Sequence, residues 1–281
     1  MRSTELLRYT AFTTSASGGN RAGVVLDASA LTPEEMQAIA AEVGYSESAF
    51  VTGVIRPDEP ISIRYFAPEG EVAFCGHATI ATAAAFAEFV APGDYELSTR
   101  VGAVRITADR SESGPRGSLD SPATGALPLP PEQLGALLEA LRWSPEVLHP
   151  AYRPAIGTAG NHHPVLVVRD VACLASFDYD FPELQRLCRL REWITTQLIA
   201  PEAPGVWRAR DPFPYGGVAE DPATGSAAAA FTGYLRLIGE LAEGESLTIN
   251  QGVEMGRPST LDVLALADRA RVSGNAVRLP G

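Results

Sequence analysis

The sequence predicts two similar halves, each a curved sheet wrapped around one central helix. Three observations point there: an internal echo near half the chain length, two alanine-rich segments with no polar face, and short alternating runs around them. The echo aligns Cys75-Gly-His-Ala-Thr-Ile-Ala-Thr-Ala-Ala-Ala-Phe86 with Glu220-Asp-Pro-Ala-Thr-Gly-Ser-Ala-Ala-Ala-Ala-Phe231, at an offset of 145. A weaker echo links Gly19-Asn20 with Gly160-Asn161, at an offset of 141. Alanine-rich stretches match easily by chance, so it is the near-equality of the two offsets that favours duplication.

The chain has 281 residues, 46% of them hydrophobic, enough for two cores. Gly, Ser and Pro cluster between Ser111 and Pro131, where periodicity lapses, and the domains are expected at 1–127 and 128–281. Thr32-Pro33-Glu34-Glu35 reads as an N-cap, a proline at the first helical position and a capping carboxylate, with Gly44 closing the helix. Ile61, Ile63 and Tyr65 alternate with polar residues, as do Val104, Ile106 and Ala108, and both read as half-buried strands. Leu134, Leu137, Leu138 and Leu141 fall at helical spacing, and strand-like runs follow at 165–168, 205–210 and 247–250. From Ala78 to Val90, and from Ser226 to Leu235, small and apolar residues occupy every helical face, so each helix must be enclosed by protein. A helix held between two flat layers is the alternative to a wrapped one.

Composition excludes several chemistries. The net charge is −12, from 22 basic and 34 acidic residues, which argues against a phosphate-binding nucleic-acid surface. Every basic residue is Arg, so Schiff-base, pyridoxal-phosphate and P-loop lysine chemistry are all absent. Cys75, Cys173 and Cys188 are too few and scattered for a disulfide framework, and no Cys/His spacing suggests a metal site. The apolar run 78–91 is short for a membrane span, and residues 1–12 lack a leader pattern, so a cytoplasmic protein without membrane or nucleic-acid partners is expected.

Chemistry is expected at the two helix starts, where unpaired backbone N–H groups and the positive end of the dipole attract anions. The first start carries Cys75, Gly76 and His77; the second carries Asp221, Thr224, Gly225 and Ser226, with Gly225 allowing close backbone approach. Each also has a plain reading: His77 as a turn residue, Asp221 as an N-cap before Pro222, Ser226 as packing, Cys75 as a buried thiol. His149, His162 and His163 lack a partner at a recognisable spacing and read as structural. Pro122-Ala-Thr-Gly125 duplicates Pro222-Ala-Thr-Gly225 but precedes Pro128, Pro130 and Pro131, so that copy does not open a helix. A hydrolase with His77, Asp221 and Ser226 in that order lacks any Gly-x-Ser-x-Gly elbow around Ser226.

Several segments together carry a resemblance. These are Gly19-Asn20-Arg21-Ala22-Gly23, Ser46-Glu47-Ser48-Ala49-Phe50, Phe66-Ala67-Pro68 with Glu71, the two helix starts, and Gln251-Gly252 through Met255-Gly256-Arg257-Pro258. In this order they resemble the phenazine-biosynthesis isomerase-like family, which shares the diaminopimelate epimerase fold. The resemblance implies an α+β protein of two similar halves, each a mostly antiparallel barrel around a central helix, with the active site in the cleft between them. It implies that Glu47 is the general acid/base, that His77 and Asp221 complete the catalytic set, and that Asn20, Gly76, Thr224, Gly225 and Ser226 bind substrate. It further implies an isomerase that moves a proton between carbons of a small carboxylic acid, without metal or organic cofactor, commonly as a homodimer.

A carboxylate can do this if its pKa is raised toward the working pH by apolar surroundings, and Val43, Ala49 and Phe50 are nearby in sequence. The epimerase branch uses two cysteines; Cys75 matches the first, but Pro222 stands at the second, which disfavours a two-thiol racemase. Where relatives usually read Gly-Asn-Pro-Ala-Gly, this chain has Arg21, facing either the cleft or solvent. The remaining alternatives are an epimerase-like enzyme on the same fold and a non-catalytic small-acid-binding protein.

Overall fold

The computed structural model describes residues 5–175 and 177–280. The chain divides into two compact units: one runs to Asp120 and resumes at Ser273, and the other is Ser121–Val272. The first unit contains β1 (Leu6–Ala11), β2 (Asn20–Val25), α1 (Pro33–Val43), β3 (Glu47–Val51), β4 (Ile61–Ala67), β5 (Gly70–Val72), α2 (Gly76–Phe89), β6 (Gly93–Thr99), β7 (Gly102–Ser111) and β8 (Gly114–Asp120). The second contains β9 (Thr124–Pro128), α3 (Pro131–Ala140), β10 (Ala155–Ala159), β11 (His162–Val167), α4 (Ala172–Ala175), α5 (Phe181–Arg191), β12 (Gln197–Ala203), β13 (Val206–Pro212), β14 (Glu220–Asp221), α6 (Gly225–Leu237), β15 (Ser246–Gln251) and β16 (Ser259–Ala265). The last strand, β17 (Ala270–Arg278), carries the chain back to the first unit.

In the first unit β1 pairs antiparallel with β2, β2 parallel with β3, β3 antiparallel with β4, β4 parallel with β6, and β6–β7–β8 run antiparallel. β17 pairs with β1 and with β8, which closes eight strands into a barrel. The second unit repeats this plan. β10–β11 are antiparallel, β11–β12 parallel, β12–β13 antiparallel, β13–β15 parallel and β15–β16 antiparallel. β9 extends the run beyond β10, while Ser121 and Thr124 donate to the carbonyls of Ala270 and Asp268. The short strands β5 and β14 occupy matching places, each just ahead of a central helix.

The central helices are α2 and α6, and alanine is what lets them be wrapped. Residues 77–87 of α2 and 227–235 of α6 are buried on all sides. Buried hydroxyls in these helices donate back one turn: Thr79 to Cys75, Thr82 to Ala78 and Thr232 to Ala228. Strands approach almost to backbone contact. A Cβ at Gly117 of β8 would lie 2.6 Å from the Ile80 carbonyl oxygen, and one at Gly157 of β10 would lie 3.1 Å from that of Ala230. Thin helices and side-chain-free strand positions are two halves of one packing solution.

Two sequence expectations need correction. The Gly/Ser/Pro-rich stretch 111–131 is not an irregular seam, because it holds β8 and β9; its glycine at 117 meets α2 at close range. The boundary falls after Asp120 instead of after residue 127, since β9 pairs with β10, and the last nine residues belong to the first unit because β17 pairs with β1. The expected α1 ends are found: Thr32 and Glu35 form a reciprocal capping box, and Gly44 closes the helix at φ 64°. The duplicate tetrapeptide at 122–125 leads into strand β9.

Candidate functional site

The two central helices begin differently from α1 and α5. Thr32 caps α1 and Asp180 caps α5 through their side chains, whereas α2 and α6 start at Cys75 and Thr224 without a side-chain cap. Their first N–H groups keep the anion affinity that a cap would satisfy. At Gly76 a Cβ would meet nothing within 4 Å, so the backbone faces open space. The first turn of α2 is fixed from within: Thr79 donates to the Cys75 carbonyl at 2.7 Å and shares a 2.7 Å hydrogen bond with Tyr65.

Two strand-borne residues and the serine just before β3 close on this turn. Asn20 begins β2, and its neighbour on the same face, Ala22, stands opposite Glu47 of β3, so Asn20 and Glu47 face α2 together. The buried His77 ring has the Asn20 amide 3.3 Å from Nδ1, with Glu47 Oε2 3.3 Å and Ser46 Oγ 3.2 Å from Nε2. Cys75 Sγ donates to Glu47 Oε2 at 3.5 Å. It also stands 3.4 and 3.7 Å from the two His77 nitrogens. Among the described residues, Glu47, Cys75 and His77 have donor atoms close enough together to hold a metal ion, a grouping that no Cys/His spacing in the sequence announces.

The shelter expected for Glu47 is of another kind. Alternation along β3 sends Phe50 to the opposite face, where it packs with Met36, Ala40 and Phe66. Glu47 keeps polar company, His77 and the Cys75 thiol, with its side chain 20% exposed. Arg21 is exposed on the other face of β2, its guanidinium 6.0 Å from the Tyr45 ring centroid.

The start of α6 is organised by a residue that sequence reading placed only in a supporting motif. Gln251 accepts from the Thr224 N–H at 3.1 Å and donates to the Asp221 carbonyl at 2.7 Å and to Thr224 Oγ1 at 3.0 Å. Thr224 Oγ1 in turn donates to Asp221 Oδ2 at 2.7 Å. Gly252 follows at φ 72°, where a Cβ would lie 2.8 Å from the Pro222 carbonyl oxygen, so glycine is required there sterically. Gly225 and Ser226 are half-buried in the first turn.

Each helix start is braced from the preceding short strand. Arg64 of β4 makes two hydrogen bonds of 2.8 Å to Glu71 of β5, and Arg210 of β13 makes bonds of 3.0 and 2.6 Å to Glu220 of β14. The pairing holds Glu71 below the usual carboxylate range. Sequence reading placed Glu71 and Ser46 in motifs without giving either a role, and it singled out neither arginine. The remaining histidines are structural in placement: His149 accepts from the Ala151 N–H in a turn, and His163 lies fully buried against Thr195.

Comparison with known proteins gives this geometry a family. The family described as phenazine biosynthesis-like protein matches residues 9–280. An uncharacterized isomerase of Deinococcus radiodurans is 35% identical over 92% of this chain and 86% of its own length. The trans-2,3-dihydro-3-hydroxyanthranilate isomerase of Pseudomonas aeruginosa is 32% identical over 96% of this chain and 93% of its own. A Bacillus anthracis phenazine biosynthesis protein of the PhzF family superposes with a TM-score of 0.85 at 25% identity, covering 98% and 96% of the two chains. With the duplicated barrel-and-helix plan, these likenesses identify the chain as a member of the phenazine biosynthesis-like family and as an isomerase.

Proposed function

We propose that the chain moves a proton between carbons of a small carboxylic acid, with Glu47 as general acid/base and no metal or organic cofactor in the step. The observation that carries the reading is the Glu47 carboxylate, 3.3 Å from His77 Nε2 and 3.5 Å from Cys75 Sγ, beside a helix start with no side-chain cap. Glu47 takes a proton from one substrate carbon, and the electron pair spreads into the adjoining π-system. Glu47 then returns the proton to another carbon on the same face, so neither carbon skeleton nor electron count changes.

The N–H groups at Gly76 hold the substrate's anionic group and stabilise the negative charge that develops in the transition state. His77, held by Asn20 and Ser46, keeps the Glu47 carboxylate oriented. Asp221, with Thr224, Gly225 and Ser226, is assigned to binding and orienting the substrate.

The test uses small carboxylic acids in deuterated water, including trans-2,3-dihydro-3-hydroxyanthranilate, the compound in the relative's name. Wild-type protein is expected to isomerise one of them, or exchange a carbon-bound hydrogen, as read by NMR. Glu47→Gln should abolish both while changing ligand affinity by less than about tenfold. Exchange that survives Glu47→Gln overturns the assignment, and absence of exchange with every acid favours a binding protein. A second reading, an amino-acid epimerase, draws on the Cys75 thiol in the cluster; exchange at an α-carbon that is lost in Cys75→Ser would favour it.

A further inference from the structure

Within the second unit, Asp221 has an acidic neighbour that the reaction described above does not use. Asp211 of β13 stands directly opposite Asp221 of β14 in an antiparallel ladder. Directly opposed residues project to the same face, with Cβ atoms about 5 Å apart. Asp211 is completely buried, and Asp221 half-buried. Two carboxylates at that separation, one without water, do not both ionise; the pair keeps a proton, and burial assigns it to the inner member.

Hydrogen-bond accounting places that proton on one atom. Thr195 Oγ1 donates to Asp211 Oδ1 at 2.9 Å and lies 2.9 Å from His163 Nδ1. A hydroxyl has one proton, so His163 donates to Thr195 through Nδ1–H. Asp211 Oδ1 is thereby occupied as an acceptor. Asp211 Oδ2 is buried without a hydrogen-bond partner in the structure, the atom where an acid proton can reside. On the other side, Asp221 Oδ2 already accepts from Thr224.

We propose that Asp211 is a positioning residue for Asp221: a neutral carboxylic acid whose Oδ2–H is directed to the Asp221 carboxylate, so that the two acids share one proton. Asp221 is then held ionised and oriented between two neutral donors, Thr224 and Asp211. The charged and titratable groups around Asp211 are consistent with this. Asp221 and Glu220 on β14 oppose a second negative charge, and Glu220 is neutralised by Arg210 on Asp211's own strand. His163, on β11, adds no positive charge, because burial drives its pKa down to about 3. Loss of solvation likewise raises Asp211 well above the ordinary aspartate range.

The inference about the shared proton stands apart from the catalytic reading; its effect on rate rests on that reading. Two readouts therefore separate them. Infrared difference spectra of wild type against Asp211→Asn at neutral pH should show a protonated-carboxyl C=O band present only in the wild type. If no such band is lost, the proposal is overturned.

In the second readout, Asp211→Asn, a neutral isostere that can still donate, should keep hydrogen exchange of the substrate within about threefold. Asp211→Ala should lower kcat by about tenfold to a hundredfold, the worth of a hydrogen bond to a charged group. Equal damage by Asn and Ala, or no effect of Ala, overturns the positioning role. If the Ala variant does not fold, the infrared band and the Asn variant still decide. If wild type exchanges hydrogen with no acid, the catalytic reading fails while the infrared band still rules on the proton.

Discussion

Arg210 grips Glu220 through two hydrogen bonds in the same cross-strand relation that Arg64 bears to Glu71. In both units the arginine lies two residues before the strand position opposite its glutamate: Phe66 faces Glu71, and Pro212 faces Glu220. Each pair ties a central strand to the short strand that feeds a central helix. The two copies differ in solvent access. Arg210 and Glu220 side chains are 11% and 7% exposed, against 30% and 20% for Arg64 and Glu71.

That difference predicts unequal mutational costs. Glu220→Ala leaves a buried guanidinium without its partner and should destabilise the protein by about 3–5 kcal/mol. Glu71→Ala, with more water available to both groups, should cost about 1 kcal/mol. Urea unfolding midpoints with unchanged slopes would establish the order. Equal losses would show that burial does not distinguish the two braces.

The buried histidine makes acid stability predictable in sign. His163 has a folded pKa of about 3 because burial disfavours its cation, against an unperturbed value of 6.5. Between these values the unfolded chain binds a proton that the folded chain does not. Its contribution therefore erodes as pH falls from 6.5 toward 3 and is constant above 6.5. Asp211 has the opposite sign: its raised folded pKa means the folded state holds the extra proton, so stability falls as pH rises through the window above 3.8. Relative to wild type, His163→Gln should gain stability between pH 7.5 and pH 4.5, and Asp211→Asn should lose it. Urea titrations at the two pH values read both directions.

The glycine contacts along the central helices predict a graded cost of one methyl group. Gly117→Ala places a Cβ 2.6 Å from the Ile80 carbonyl oxygen and 2.9 Å from Ala83 Cβ, so helix and strand must separate. A loss of about 1–3 kcal/mol is expected, the usual range for overpacking. Gly157→Ala, with its nearest contacts at 3.1 Å, should cost less, and Gly135→Ala, with nothing within 4 Å on exposed α3, should be neutral or stabilising. Thermal midpoints that fail to follow this order would contradict the close-wrapped packing.

Local physics made part of this molecule readable from its residues. The all-apolar alanine runs demanded enclosed helices, the Thr32 capping pattern and Gly44 delimited α1, and the echo between 75–86 and 220–231 announced a duplicated plan. Each of these depends on neighbours within a few turns or on identity between copies, and both are written along the chain. His77 and Asp221 stood out as candidates at the two helix starts, whereas Glu47 came only from the family resemblance.

Tertiary structure decided the rest, because contacts between distant segments leave no spacing to read. Ser46 and Cys75 join His77 only when β3 and the start of α2 meet, and Gln251 reaches Thr224 from 27 residues away. Phe50 turned out to face away from Glu47 because strand alternation, not proximity in sequence, sets the face. The final strand returned to the first unit for a similar reason: barrel closure satisfies the backbone groups of β1, and no local pattern in residues 270–278 says which edge they will cover.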